Sequence, residues 1–166
     1  MANETLSLSV PGYAALRRRE GAVLHYYNDV ANHCTFGVGT LAHHGPCTEE
    51  ELRRTVTSEE VDLQLAMRVK KAEVAVRSRV KDFSLTQAQF DALVSFTFNT
   101  GVSGARKTLD SANSGHFREV IVEMQKNVYV HPRDSKGRRL RAVRIQGLVI
   151  RRIEESAPFK RETASK

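Results

Sequence analysis

The sequence predicts an α+β fold that is predominantly helical, with one small antiparallel sheet in its N-terminal part. Strand-forming residues gather in one stretch, residues 22–44. Most of the remaining chain has apolar residues at helical spacing, and three segments begin with a Thr-x-x-Glu/Gln capping pattern. A chain of 166 residues is long enough to bury a core as one domain, or as two small lobes.

The first predicted elements are a short helix and the sheet. Residues 13–19 are predicted to form the helix, and Gly21 is placed to end it in a left-handed conformation. Residues 22–44 then lose the helical period and combine strand formers with Asn and Asp turn formers, which predicts an antiparallel sheet or hairpin. The strand formers of this stretch are Val23, Tyr26, Tyr27, Thr35, Phe36 and Val38.

The remaining predicted elements are helices. The capping pairs that open three of them are Thr48/Glu51, Thr57/Glu60 and Thr86/Gln89. The predicted helical ranges are 48–54, 57–81, 86–101, 105–112, 116–126 and 140–155. Val61, Leu65, Val69, Ala72, Val76 and Val80 form one apolar stripe along the second of these helices.

The longest of these helices is expected to link two lobes, because about 24 residues at about 1.5 Å each span roughly 36 Å. The predicted single domain therefore has a sheet-containing lobe (13–57), a linking helix (58–81), a helical lobe (82–159) and a tail (160–166). A cleft between lobes is the usual place for a ligand.

Charge predicts a polyanionic partner without identifying it. The chain has 26 Lys and Arg against 19 Asp and Glu, a net charge of +7. Nucleic acid, a membrane surface and the bacterial cell wall all fit that charge. Residues 133–152 hold eight of the basic residues and one acid. The polar N-terminal segment lacks basic residues and predicts neither a secretory signal nor a membrane anchor.

Two cysteines, Cys34 and Cys47, are too few for a disulfide framework. We interpret them as reduced thiols, with a bridge formed after release from the cytoplasm as the alternative. Together with His33, His43 and His44 they invite a zinc hypothesis, but the paired C-x-x-C or H-x-x-x-H spacing of zinc sites is missing. We expect no metal and no cofactor.

The stretch from residue 20 to residue 39 carries the pattern that predicts chemistry. Hydrolysis of a glycoside needs one carboxylic acid to protonate the leaving oxygen and a second carboxylate to activate water or attack carbon. Glu20 follows the first helix, and the negative helix end suits a proton donor. Asp29 lies in a polar turn that suits an ionised carboxylate. Thr35 lies in the strand that follows.

Strand alternation predicts that Thr35, Gly37 and Gly39 share one face, while Phe36 and Val38 point to the other. The first face would offer a hydroxyl beside two positions without side chains, where a sugar ring approaches the backbone. The second face would supply core.

Each of these residues also has a structural interpretation. A Glu that ends a helix is usually a solvated charge, and an Asp beside Asn usually makes an Asx turn. A Thr in a strand reflects β propensity, and paired glycines mark a bulge. For each residue taken alone, the structural interpretation is the better one. A catalytic interpretation is favoured only because all of these residues occur together.

The combination resembles the signature of phage lysozymes, the T-even-type and lambdoid endolysins of glycoside hydrolase family 24. Eight residues separate Glu20 from Asp29 and five separate Asp29 from Thr35, before Phe-Gly-Val-Gly. Two further segments resemble motifs of the same family. Residues Ser95 to Gly101 resemble its Ser-Phe-x-Phe-Asn-x-Gly motif. Residues Gly147 to Arg152, with Glu154 after them, resemble its Gly-Leu-x-x-Arg-Arg-x-x-Glu motif. The resemblance covers residues 13–159.

This resemblance implies a lysozyme-like two-lobed fold and an activity. The bond cut would be the β-1,4 link between N-acetylmuramic acid and N-acetylglucosamine in peptidoglycan. Glu20 would be the general acid, and Asp29 and Thr35 would hold and activate the attacking water. Inversion requires carboxyls roughly 6.5–9.5 Å apart.

The resemblance also implies roles outside the catalytic trio. Asn99 would contact the saccharide or its peptide, in addition to the substrate contacts that the strand pattern predicts at Gly37 and Gly39. The three arginines of the C-terminal segment would be structural, with contacts to wall carboxylates as the alternative. They are Arg144, Arg151 and Arg152.

The chain departs from the family at two positions near the signature. Cys34 stands where an aromatic residue is common, and Thr40 stands where a His often follows the second Gly. Without that His, the acid loses an ion-pair partner, which we expect to alter its pH response. His25, His43 and His44 are close enough in sequence to substitute for it.

The expected partner is bacterial peptidoglycan, without nucleic acid and without stable membrane insertion, and the expected state is a monomer. We expect the protein to remain in the host cytoplasm until a holin or delivery device gives access to the wall. Alternatives are a lytic transglycosylase, an inactive wall-binding protein, and a basic nucleic-acid-binding protein. Binding to DNA with steep salt dependence and no wall hydrolysis would favour the last.

Overall fold

The computed structural model describes residues 2–21 and 23–163 of the chain. Ala22, where the predicted sheet stretch begins, and residues 164–166 of the predicted tail lie outside the described residues. The α+β, predominantly helical class is confirmed. The helices are α1 (Val10–Glu20), α2 (Glu49–Arg53), α3 (Ser58–Arg79), α4 (Gln87–Asn113), α5 (Phe117–Lys126) and α6 (Gln146–Thr163). The strands are β1 (Val23–Asn28), β2 (Cys34–Gly37), β3 (Thr40–His43), β4 (Tyr129–Val130) and β5 (Val143–Arg144).

All three predicted capping boxes are present. The Thr48 and Thr86 side chains accept from the backbone N–H three residues further along. In return, the side chains of Glu51 and Gln89 accept from the backbone N–H of Thr48 and Thr86. At the start of α3, Glu60 N–H donates to the Thr57 hydroxyl at 3.1 Å and Thr57 N–H donates to the Glu60 carboxylate at 2.8 Å. These pairs satisfy backbone donors that the first turn of a helix leaves unbonded, so they fix where α2, α3 and α4 begin.

The N-terminal sheet confirms the predicted hairpin and extends it to three strands in the order β1-β2-β3, all antiparallel. Asn28 pairs with Cys34, Tyr27 with Thr35 and Tyr26 with Phe36. Gly21 ends α1 with φ 57°, as predicted for a left-handed cap.

The interpretation of the cysteines as reduced thiols is wrong, because Cys34 and Cys47 form a disulfide with a Cα–Cα distance of 4.5 Å. The two cysteines are 13 positions apart in the sequence. Strands β2 and β3 reverse the chain between them, so Cys47 returns to the start of β2. Cysteine counting tests for a framework of several bridges and says nothing about a single bridge across a hairpin.

Two predicted helical ranges need adjustment. The break predicted near residue 101 is present within α4, where Gly101 has a non-helical backbone (φ 78°, ψ 163°). The helix predicted for 140–155 begins later, at Gln146. Residues before it are extended because Leu140 N–H donates to the Pro132 carbonyl at 2.8 Å and Ile145 N–H donates to the Val128 carbonyl at 2.9 Å.

The chain divides into two compact units. The helical unit comprises Met1–Ala14, Arg68–Tyr129 and Arg144–Lys166, and the sheet unit comprises Ala15–Met67 and Val130–Val143. The whole apolar stripe predicted for α3 is buried. The sheet unit buries Leu16, Cys34, Val38, Cys47, Val56, Val61 and Leu65. The large core side chains of the helical unit include Val76, Val80, Phe90, Leu93, Val94, Phe96, Phe98, Leu109, Phe117, Met124 and Phe159.

Asn3 anchors the N-terminal segment inside the helical unit. Its side-chain nitrogen donates to the carbonyls of Val80 and Phe83, both at 2.8 Å, and its side-chain oxygen accepts from Leu85 N–H at 2.9 Å. The residue is 1% exposed, so its polar atoms exchange water for backbone partners at the end of α3. None of the described helices is both long enough and apolar enough to cross a bilayer.

Candidate active site

Asp29 occupies the turn between β1 and β2 and uses its two carboxylate oxygens differently. Oδ1 accepts from the backbone N–H groups of Ala31 at 2.8 Å and His33 at 2.9 Å. The Asx-turn interpretation is therefore correct for that oxygen. Asn32 completes the turn in the left-handed region, with φ 57°. Oδ2 takes no part in the turn and lies towards Thr35.

The Thr35 hydroxyl lies 3.4 Å from Asp29 Oδ2 and 3.2 Å from the His33 carbonyl oxygen. The residue is 3% exposed, which limits its hydroxyl to the polar groups of this turn and to small molecules such as water. The structure thus brings together the two residues for which the family resemblance implied a shared water molecule.

Glu20 is the last residue of α1 and is half-buried. A Cβ added at Gly21, directly after it, would meet no atom within 4 Å, so the cap of this helix borders open space. Three basic residues, Arg17, Arg18 and Arg19, form the last turn before Glu20. Glu20 belongs to the same compact unit as Asp29 and Thr35.

The expectation that Thr35, Gly37 and Gly39 share one open face is wrong. Gly37 (φ 62°) and Gly39 (φ 77°) both have left-handed backbone, so strand alternation stops where β2 ends. Gly37 is buried, and a Cβ there would lie 3.1 Å from Cγ2 of Val61, which explains why this position needs glycine. Gly39 is exposed and keeps the open backbone that a sugar would need.

The core predicted for the opposite face of β2 is present only in part. Val38 is 1% exposed, as expected. Phe36 is half-buried, and its ring stacks on Tyr26 with centroids 5.0 Å apart. Cys34, at the start of the strand, takes a fully buried position instead.

Asn99 lies in the helical unit, near the break in α4, with its side chain exposed. Its Oδ1 accepts a hydrogen bond from Nη2 of the buried Arg152. Because a guanidinium only donates, this contact fixes the amide with its oxygen inward. Within residues 2–21 and 23–163 the amide nitrogen of Asn99 has no partner, which leaves it available as a donor.

A buried ion-pair network holds Arg152 in place. Glu155 accepts from Arg152 Nη1, from Arg151 Nε at 2.9 Å and from the Ser95 hydroxyl at 2.6 Å. Arg152 also donates to the Asn127 carbonyl at 3.0 Å. All three charged residues are at most 8% exposed. The structural role expected for the two arginines is confirmed.

Within the C-terminal motif, Glu155 is the acid that matters to this network, whereas Glu154, the acid that the sequence pattern indicated, is exposed. The family spacing Arg-Arg-x-x-Glu fits Glu155. Arg144 is also exposed and lies in β5.

The histidines that were expected to substitute for the missing one make contacts within the sheet unit. His43 Nε2 lies 2.9 Å from Glu51 Oε1, and its Nδ1 lies 3.1 Å from the His44 carbonyl oxygen. The His44 carbonyl first, and the Glu51 carboxylate second, raise the pKa of His43. His44 packs against the edge of His33 with ring centroids 4.8 Å apart, and the rings of His25 and Tyr27 are 6.5 Å apart.

A metal hypothesis finds little support in these side chains. Ligand atoms of Cys34, His43 and Glu51 lie within 4.8 Å of one another. However, the Cys34 sulfur is bonded to Cys47 and cannot offer the thiolate that a zinc site requires. Thr40, which stands where the resemblance implies a histidine, has a buried hydroxyl without a hydrogen-bond partner among the described residues.

Residues 130–143 form an exposed basic hairpin in the sheet unit. Asp134 accepts from the backbone N–H of Lys136 and Arg138 at 2.9 Å and from Arg138 Nε at 2.7 Å. The Arg138 backbone N–H, the largest cause, and its side chain lower the pKa of Asp134. The single acid in the sequence of this hairpin is therefore used inside it. In the described part of the chain, Arg133, Lys136, Arg139 and Arg141 have no acidic partner.

Known proteins share both sequence and fold with this chain. Residues 17–155 match the sequence model of the phage lysozyme family. The endolysin of Bacillus phage PZA is 31% identical over 163 residues, which are 95% of this chain and 57% of the endolysin. The chain thus spans less than two thirds of that relative's length.

Two solved structures are similar along almost the whole chain. The endolysin from Escherichia coli O157:H7 phage FAHEc1 has 30% identity and a TM-score of 0.72, with 93% of this chain and 94% of that chain covered. The muramidase domain of SpmX from Asticaccaulis excentricus has 26% identity and a TM-score of 0.71, with 93% and 97% covered. The fold implied by the motifs is confirmed.

Proposed function

The chain belongs to the phage lysozyme family, and from that premise we propose that it is a muramidase that hydrolyses peptidoglycan. The bond cut is the β-1,4 link between N-acetylmuramic acid and N-acetylglucosamine. The observation that carries the proposal is the approach of the Thr35 hydroxyl to Asp29 Oδ2, at 3.4 Å. A carboxylate oxygen and a hydroxyl at that separation suit a shared water molecule.

The proposed reaction is a displacement by water with acid assistance. Glu20 donates its proton to the glycosidic oxygen as the bond to the anomeric carbon breaks. The attacking water donates one hydrogen bond to Asp29 Oδ2 and the other to Thr35 Oγ1. Asp29 takes the proton of that water as the new bond forms, and the anomeric configuration is inverted.

The turn around Asp29 supports the proposed role of this carboxylate as the base. Two backbone N–H groups bind Oδ1 and hold the carboxylate plane, while Oδ2 remains on the side of Thr35. A positioned base saves the entropy of orienting the water in the transition state. The same contacts give the Asx turn its structural role, so the structural and catalytic interpretations of Asp29 are compatible.

Saccharide contacts are proposed at Gly39 and Asn99. Gly39 is exposed in the turn that follows β2, where its backbone can lie against a sugar. The Arg152 contact turns the Asn99 amide nitrogen outward, so Asn99 is proposed to donate to a carbonyl or hydroxyl oxygen of the glycan or its peptide. Gly37 is packed against Val61 and is proposed to shape the turn instead.

The basic surface fits a polyanionic wall, and the burial of Arg151 and Arg152 weakens the nucleic-acid alternative. Both arginines belong to the basic segment 133–152, yet both neutralise Glu155 inside the protein. The exposed cations of the hairpin remain for carboxylates and phosphates of the envelope. We propose that the protein acts as a monomer and reaches the wall from the host cytoplasm through a holin or delivery device.

Product analysis tests this proposal. Purified Gram-negative peptidoglycan is incubated with the protein and the fragments are identified by mass spectrometry. Reducing-end N-acetylmuramic acid, released first as the α-anomer, is the expected product. Anhydro-muramic products would instead identify a lytic transglycosylase, and intact glycan after incubation with folded protein would identify a wall-binding protein without activity.

A further inference from the structure

Cys47 is linked to the residue directly before each member of the proposed water-binding pair. Its sulfur is bonded to Cys34, which precedes Thr35. Its backbone N–H donates to Asn28 Oδ1 at 2.7 Å, and Asn28 precedes Asp29. Asn28 and Cys34 are themselves paired across β1 and β2, so Cys47 closes the end of this strand pair.

The segment before Cys47 adds two backbone contacts to the same turn. Gly45 accepts from Cys34 N–H at 2.8 Å, and Gly45 N–H donates to His33 Nδ1 at 3.0 Å. The backbone of His33 in turn donates to Asp29 Oδ1. One covalent bond and three hydrogen bonds therefore connect residues 45–47 to residues 28, 33 and 34.

We propose that Cys47 is a positioning residue, which acts through Asn28 and Cys34 to hold Asp29 and Thr35 at the separation needed to share one water molecule. The inference rests on the proposed function. The hydrogen bond from Thr35 to Asp29 is 3.4 Å long, at the far end of the useful range. A small opening of the strand ends would break it, and displacements of about 1 Å can cost on the order of 100-fold in rate.

The arrangement makes turnover depend on the redox state of the cysteine pair. Thiols oxidise to a disulfide by exchange with an external disulfide, which accepts two electrons and two protons and leaves as two thiols. Cytosolic conditions keep most thiols reduced, whereas envelope compartments are oxidising. The protein is therefore expected to reach its full kcat only after it meets an oxidising compartment.

A crosslink also stabilises a fold by restricting its unfolded chain, and the test must separate the two effects. Three forms of the full chain are compared on soluble peptidoglycan glycan fragments: oxidised wild type, wild type reduced by a dithiol, and Cys34→Ser/Cys47→Ser. The dithiol breaks the S–S bond, the protein gains two thiols and the reagent becomes a cyclic disulfide. Circular dichroism establishes that each form is folded at the assay temperature.

The expected result is a kcat about tenfold lower in the reduced and double-serine forms, with KM within about threefold of that of the oxidised protein. Addition of the dithiol to the double-serine form should change nothing further. A merely stabilising crosslink predicts equal kcat in all folded forms, and that result would overturn the inference. Inactive oxidised wild type would refute the proposed function itself, so the two failures are distinguishable.

Asn28 provides a second test that does not depend on the crosslink. Asn28→Ala removes the acceptor for Cys47 N–H and is expected to lower kcat several-fold with KM unchanged. Asn28→Asp keeps an acceptor at the same place and is expected to restore most of the kcat. If both variants have the kcat of the wild type, Cys47 does not position Asp29 through Asn28.

Discussion

Asp29 Oδ2 and the Thr35 hydroxyl face each other at 3.4 Å across the first turn of the sheet, while Asp29 Oδ1 is bound by the backbone. Because the two oxygens have different contacts, a single substitution can remove the oxygen that we propose as the base and still keep the turn. Asparagine retains an oxygen that can accept from the Ala31 and His33 N–H groups. It loses the negative charge that a general base requires.

Asp29→Asn is therefore expected to lower kcat by about 10²–10⁴-fold, the usual contribution of a general base, with the free energy of unfolding nearly unchanged. Steady-state kinetics on peptidoglycan fragments measures the first effect and urea denaturation the second. Rates within severalfold of the wild-type rate would point to a transglycosylase-like mechanism that needs only the acid.

Thr35 offers a matched pair of variants. Thr35→Ser keeps the hydroxyl and is expected to keep most of the activity, whereas Thr35→Ala removes it and should lower kcat by roughly 10-fold or more, because one hydrogen bond to the water is lost. The comparison is made on kcat at saturating substrate. Equal rates for the two variants would show that the hydroxyl does not hold the water.

The buried network of the helical unit predicts that substitutions at two neighbouring acids differ greatly in their effect on the free energy of unfolding. Glu155→Gln leaves Arg151 and Arg152 buried without a compensating charge and is expected to cost about 3–5 kcal/mol of the free energy of unfolding. Glu154→Gln changes an exposed residue and should cost about 0.5 kcal/mol or less. Denaturant unfolding of both variants measures the difference, and similar losses would contradict the network's importance.

The contact between His43 and Glu51 predicts a pH-dependent stability. In the folded protein the pKa of His43 is raised from 6.5. The contribution of this histidine to the free energy of unfolding is therefore complete below pH 6.5 and is lost as the pH rises through the raised pKa. The pKa of Glu51 is lowered from 4.5, chiefly by the Thr48 backbone N–H. The contribution of Glu51 to the free energy of unfolding is therefore lost as the pH falls through the lowered pKa.

His43→Gln should therefore lower Tm more at about pH 5.5, where both groups are charged in the fold, than at about pH 9. Thermal unfolding of both proteins across this range provides the measurement. A loss of Tm that does not change with pH would indicate that the side chain contributes only packing.

The basic hairpin is expected to contribute to wall affinity. Lys136→Gln/Arg139→Gln/Arg141→Gln removes three exposed cations and should weaken binding to purified peptidoglycan roughly tenfold at low salt, with a shallower salt dependence. Lys70→Gln/Lys71→Gln/Lys107→Gln removes the same net charge from exposed positions of the helical unit and serves as the control. Equal losses would show that net charge, and not the hairpin, governs binding.

Local signals account for the parts of the fold that the sequence predicted. The capping pairs of α2, α3 and α4 act over three residues, and the stripe of α3 repeats every turn, so both are visible in the sequence itself. Asn3 is different, because its partners lie about 80 residues further along the chain. Residues 140–145 are extended for a similar reason, since their backbone partners lie in a preceding segment.

In the candidate site, too, some features follow from local sequence and others depend on contacts between distant residues. The turn at Asp29 follows from local Asx chemistry, and the position of Thr35 follows from the next strand. The orientation of Asn99 depends on Arg152, 53 residues away, and the partner of Cys34 depends on how the hairpin folds back. Burial of Gly37 against Val61 likewise depends on packing between segments, which alternation along one strand cannot show.

The most direct test of the central claim compares wild type with Glu20→Gln on purified Gram-negative peptidoglycan. The substitution keeps the size of the side chain and removes the proton that the leaving oxygen requires. Reducing-end muramic acid should appear with wild type alone, while circular dichroism shows both proteins folded. Near-normal release of the same products by Glu20→Gln would contradict the assignment of Glu20 as the acid.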